Sequence, residues 1–131
     1  MVARRRFLAD NQGAAAVELA LVLPLLILLV GGIIDFGFAF NAQVSLTHAA
    51  REGVRVEALD NGDAAQTAED AFVAPAVIDG SVSASVTRPC PSTDGAQVTI
   101  RADYGFFFIS LIPLVPNDTT LQGQAVMRCG G

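Results

Sequence analysis

Residues 14–40 read AAAVELALVLPLLILLVGGIIDFGFAF, and this stretch of 27 residues contains two charges, Glu18 and Asp35. Between Leu19 and Ile34 there is none. Coiled as an α-helix at 1.5 Å per residue, the stretch is ~40 Å long, enough to cross the ~30 Å hydrocarbon core of a bilayer. A cleaved secretory signal has a shorter apolar run, typically about 7 to 15 residues, followed by a small-x-small site. Here the run is longer and Phe38-Ala39-Phe40-Asn41-Ala42 offers no such site. A buried helix of a soluble protein rarely carries so long a block of Leu, Val and Ile. The reading is a retained transmembrane helix over 14–40.

On its N-terminal side lies a short polar head with Arg4, Arg5 and Arg6. Arginines on one flank place that flank in the cytoplasm, so the C-terminal part lies outside it. The expected location is a single pass through the plasma (inner) membrane, with residues 41–131 forming one extracytoplasmic domain. Roughly ninety residues is close to the lower size at which a single core sustains itself.

Composition narrows the function. The chain is 52% hydrophobic, its net charge is −5, and every basic residue is an arginine. An acidic domain without a basic patch argues against nucleic acid, whose phosphates need clustered cations. Catalysis has little to work with. His48 is the only histidine, one helical turn from Glu52, and reads as a helix-surface residue. Ser81, Ser83 and Ser85 line a strand with no base nearby in sequence. No phosphate-binding loop or metal-ligand cluster is present, so no enzyme activity, cofactor or metal is expected.

Beyond Phe40 the apolar residues thin to a stripe. Ala39, Ala42, Leu46, Ala49, Gly53 and Val56 recur at spacings of three and four, which continues the helix to about Leu59. Asp60-Asn61-Gly62-Asp63 ends it, and Asp63 is placed to cap a second helix over 64–73, closed by Pro75. The last third, 81–129, alternates with period two. Strands are expected over Ser81–Thr87, Val98–Phe106 and Leu121–Arg128, separated by Pro89, Pro91 and Ser92-Thr93-Asp94-Gly95, and by Pro113, Pro116 and Asn117-Asp118. The fold class is therefore α+β: a long N-terminal helix, a short helix and a roughly three-stranded antiparallel sheet. Phe106-Phe107-Phe108-Ile109, continuing to Val115, either packs the sheet onto the helix or forms a partner-binding surface.

Cys90 and Cys129 both follow the membrane segment, and an even count there reads first as a disulfide. In a three-strand meander their strands stand about 10 Å apart with the second strand between them, whereas a disulfide needs Cα atoms within ~7 Å. Either the tails curl inward or strands one and three are neighbours.

An ionisable residue inside a membrane segment is costly, and Glu18 needs a partner to offset that cost. It follows Gly13-Ala14-Ala15-Ala16-Val17 and leads into Leu19-Ala20-Leu21-Val22-Leu23-Pro24. Together with Gly32-Ile33-Ile34-Asp35-Phe36-Gly37 and Ala49-Ala50-Arg51-Glu52-Gly53-Val54-Arg55, this resembles the TadE-like proteins of tight-adherence (Flp-type) type IV pilus systems. The resemblance covers about Gly13 to Val56. Leu19 departs from it, since the family often carries an aromatic after the glutamate.

The resemblance implies a pilin-like minor pseudopilin. A prepilin peptidase would cut between Gly13 and Ala14, removing the basic leader 1–13. Glu18 would pair with the new N-terminal ammonium of a neighbouring subunit, and Pro24 and Asp35 would serve helix assembly. Arg51, Glu52 and Gly53 are candidate partner contacts, and the partners would be other pilins or pseudopilins and the assembly platform. For Asp35, bracketing the hydrocarbon core about 26 Å along the axis from Glu18, an outer-interface anchor is the plainer role. Two other classes stay open: an uncleaved single-pass anchor carrying a binding domain, and a membrane-tethered enzyme.

Overall fold

The computed structural model describes residues 11–73, 81–112 and 118–130. The basic head with Arg4, Arg5 and Arg6, Pro75, and the connection 113–117 lie outside the described residues. Helix α1 (Asn11–Ala58) runs as one piece of 48 residues and carries Pro24 inside it. Proline removes one backbone donor, but α1 passes through it without ending. As expected, the helix stops at the Asp60-Asn61-Gly62 turn, where Asp60 and Gly62 take positive φ. Asp63 then caps α2 (Ala64–Ala71) by accepting the backbone N–H groups of Ala65 and Gln66 at 3.0 and 3.1 Å. That helix ends two residues short of the expected Val73, because Phe72 already has extended backbone.

Three strands follow: β1 (Val82–Arg88), β2 (Ala96–Gly105) and β3 (Asp118–Met127). They form one antiparallel sheet in the order β1-β2-β3, a meander with β2 at the centre. In register, Val82, Ala84 and Val86 of β1 oppose Ala102, Ile100 and Val98. On the other side Val98, Ile100 and Ala102 oppose Ala125, Gly123 and Leu121 of β3. These residues share one face of the sheet, and α1 lies across it with Leu46, Ala49, Ala50 and Val54. Ala64 and Ala68 of α2 close one side of the same core. The architecture is α+β, as the sequence implied.

The core is small and alanine-rich, so helix and sheet approach closely. Gly123 shows how closely: a Cβ there would run into the backbone carbonyl of Leu46, with the Thr47 nitrogen 2.8 Å away. With few large side chains to bury, at about 1.5–3 kcal/mol each, the domain gains from a covalent tie. Cys90 and Cys129 supply it, bonded with Cα atoms 5.8 Å apart. Strands β1 and β3 are not neighbours, so the tails curl inward. Both converge on the C-terminal end of α1, where Cys90 N–H donates to Glu57 Oε1 at 3.0 Å and Gly130 N–H to the Ala58 carbonyl at 3.1 Å. Closing a loop with a sequence separation of 39 removes disorder from the unfolded chain. By the chain-entropy model that contributes on the order of 4 kcal/mol.

Candidate functional site: two acids on one helix

Helix α1 is long and apolar enough to cross a membrane, and nearly all of its apolar stretch is exposed. From Val17 to Phe40 its large side chains face outward, Leu21 at 76% and Phe40 at 74%. In water so much exposed hydrocarbon would be untenable; against lipid it costs nothing.

Glu18 lies on this bare section, exposed between Val17 and Leu19. Among the described residues it has neither a hydrogen bond nor an ion pair. Gly13 and Ala14, five and four residues before it, are helical and exposed, and a Cβ at Gly13 would meet nothing within 4 Å. Pro24 lies about 9 Å further along the axis than Glu18, on the same uncovered section.

Asp35 has a different environment. It is 1% exposed, and its carboxylate is consumed by the chain itself. Oδ2 accepts the backbone N–H groups of Phe108 at 2.7 Å and Ile109 at 3.0 Å, and Oδ1 accepts that of Phe107 at 3.3 Å. The Tyr104 hydroxyl donates to the Asp35 carbonyl at 3.1 Å. A short 3-10 helix (Ile109–Leu111) starts on this carboxylate, which meets the orphan donors of its first turn as a capping residue would. Next to it the Phe108 ring lies on Gly31, so close that a Cβ at Gly31 would stand 2.5 Å from its Cγ. Phe106 stacks edge-on to Tyr104 at 5.0 Å and tilts against Phe36 at 6.1 Å. Burial first, and then the Asp35 charge, push the Tyr104 phenol above its ordinary value of 10.0.

To the expectation that Asp35 serves in helix assembly or as an outer-interface anchor, the structure adds a contact within the chain. Asp35 locks the segment after β2 to the helix of its own chain, with three backbone N–H groups on its carboxylate. The aromatic run is divided between its two expected roles. Phe106 and Phe108 bind sheet to helix, while Phe107 and Leu111 remain 67% and 72% exposed.

Of the three candidate partner contacts, Arg51 and Glu52 are exposed on α1, and Glu52 stands 3.9 Å from Arg55. Gly53 is covered. A Cβ there would meet the Ala64 carbonyl and the Ala68 methyl, both at 2.7 Å, so this glycine lets α2 pack on α1. His48 is exposed, in keeping with a surface residue. Tyr104 was not singled out by sequence reasoning, though it is the only tyrosine in the chain and falls at an inward position of β2.

These features define a class: a long apolar helix, bare as far as Val30, with a small disulfide-tied α+β domain locked to the part beyond. Within that class, residues 13–55 match the family model described as TadE-like protein. The match bears out the family resemblance over α1, taking in Glu18, Asp35 and Arg51–Gly53, and it stops before α2. The chain matches no curated protein and no solved structure at a significant level.

Proposed function

We propose that this protein is a minor pseudopilin that assembles into, or at the base of, a tight-adherence pilus through the bare section of α1. The observation carrying this reading is the contrast between the two acids of the apolar stretch. Asp35 is satisfied three times over by its own chain, whereas Glu18 faces outward with no partner among the described residues. A lone carboxylate at the rim of a membrane segment costs a few kcal/mol unless a cation meets it. The family match to 13–55 supports where that cation comes from.

In this reading a prepilin peptidase cuts after Gly13, whose lack of a side chain leaves the bond open to attack. Ala14 then carries a new ammonium, ~6 Å of helical rise from Glu18. Within one chain the two lie a single turn apart; between chains, each glutamate meets the next subunit's amine and fixes the axial register. The leader's arginines hold the N-terminus in the cytoplasm before cleavage, and the domain stands outside. The role is structural, and the partners are other pilins or pseudopilins and the assembly platform.

The test is the intact mass and N-terminal sequence of the membrane-extracted protein from a host with its pilus genes. A chain beginning at Ala14 is the expected result. One that keeps residues 1–13 would reassign the protein as an uncleaved anchor.

A further inference from the structure

The segment from Phe106 to Ile112 lies beside the helix at the wrong height for a water-facing loop. It touches α1 at Gly31, Asp35 and Phe36, all within the apolar stretch. With Glu18 at the inner boundary, a hydrocarbon core of ~30 Å reaches about 20 residues along the helix, to the neighbourhood of Phe38. The contacts at Gly31–Phe36 then lie roughly 3–10 Å below the outer boundary. Tilting the helix moves them deeper. The first polar side chains after the stretch agree with this height: Asn41, and Gln43, whose amide donates to the Gln122 carbonyl at 2.7 Å.

We propose that Phe106–Ile112 is a lipid-immersed wedge, in which Phe107 and Leu111 insert among the acyl chains of the outer leaflet beside the transmembrane helix. This rests on the membrane-spanning reading of α1. Three observations carry it besides the depth. Phe107 and Leu111 are exposed, as are Ile33, Phe36 and Phe40 on the helix. No residue from Tyr104 to Ile112 is charged. And five of the seven backbone N–H groups in the segment find acceptors within the protein.

A loop in hydrocarbon is tolerated where its peptide groups find partners within the protein. Here Asp35 takes the N–H groups of Phe107, Phe108 and Ile109. Those of Leu111 and Ile112 go to the Phe108 and Ile109 carbonyls at 3.3 and 3.0 Å. Even the Ser110 hydroxyl turns back, donating to the Phe107 carbonyl at 2.7 Å. Asp35 thereby solves two problems at once: its own charge at membrane depth, and the open donors of an irregular segment.

The chain has no tryptophan, so single-tryptophan variants report each position cleanly. Full-length Phe107→Trp and Leu111→Trp would be reconstituted in phosphatidylcholine vesicles with and without lipids brominated in the mid-acyl chain. Leu26→Trp on the bare helix and Thr93→Trp at the opposite end of the sheet serve as references. Expected are blue-shifted emission and loss of intensity in brominated lipid for Phe107→Trp and Leu111→Trp, as for Leu26→Trp, with Thr93→Trp unaffected. If Leu26→Trp is quenched while both loop positions behave like Thr93→Trp, the wedge is wrong and the membrane span stands. Blue-shifted but unquenched loop positions would mean that protein, such as a second copy, covers them, which also overturns it. An unquenched Leu26→Trp would defeat the membrane reading and the wedge with it.

Discussion

Asp35 and Glu18 are both carboxylates in an apolar helix, and their environments separate them. Removing the Asp35 acceptors leaves three backbone donors without partners, at about 1–3 kcal/mol for each buried group left unsatisfied. Asp35→Ala should therefore lower the stability of the detergent-solubilised domain by about 3 kcal/mol or more, read as a drop in its thermal midpoint. Asp35→Asn keeps one acceptor oxygen and should fall between. A midpoint unchanged in both would contradict the capping role. Tyr104 gives a second reading of the same site. Its phenol is raised above 10.0 by burial and by Asp35, so the folded state holds the proton more tightly than the unfolded chain does. The stability linked to it is full below the unfolded value and fades as pH climbs from about 10 through the folded value. As the sole tyrosine, it can be titrated alone by phenolate absorbance. The midpoint should lie above 10 in the folded protein and fall back on denaturation; equal midpoints would rule out the buried contact. The residue types at this site were visible in the sequence, but the pairing was not. The partners of Asp35 are backbone N–H groups 72 to 74 residues away, and a backbone donor leaves no mark in an amino-acid code.

At the scale of elements, the long helix, the short capped helix and three alternating strands were legible because each follows from a period and a stop signal. Boundaries slipped where tertiary contacts decide. Strand β3 begins at Asp118, three residues before the expected Leu121, because Thr119 and Thr120 pair with Tyr104 and Asp103 of β2. Polar residues continue a ladder whenever a partner strand is present, and hydrophobic alternation cannot report them. The same limit hid the helix–sheet spacing. Gly123 lies in β3 against the backbone at Leu46, where neither side can yield by turning a side chain. Gly123→Ala should cost about 1–3 kcal/mol or more through overpacking and separate α1 from β3. Gly105→Ala, at a strand position with nothing within 4 Å of the added methyl, is its control. That change should be neutral or slightly stabilising, by up to about 1 kcal/mol, because it restricts the unfolded chain. Chemical denaturation of the two variants side by side checks the contrast, and equal stabilities would mean that helix and sheet are less closely packed than described.

Taken whole, the molecule divides its work along α1: from Gly31 outward it is committed to its own domain, by Gly31, Asp35, Gly53 and the core from Leu46 to Val54, and the inner section up to Val30 is bare among the described residues. Glu18 is the one charge on that inner section, so its removal tests the division directly. Glu18→Ala should insert in the membrane as well as the parent, or better, because a charge has been withdrawn from the rim of the hydrocarbon. The domain should keep its thermal midpoint, since no described contact of the fold involves this residue. What should be lost, on the proposed function, is co-purification with pilins and the assembly platform from detergent extracts. Glu18→Gln separates charge from shape: it retains a polar side chain of the same length but cannot neutralise an ammonium, and should fail as Glu18→Ala does. The two sections of the helix then give opposite results, with Asp35 variants weakening the domain and Glu18 variants weakening only association. Normal assembly by Glu18→Gln would show that the carboxylate charge sets no register between subunits, and the pairing with a neighbour's amine would have to be given up.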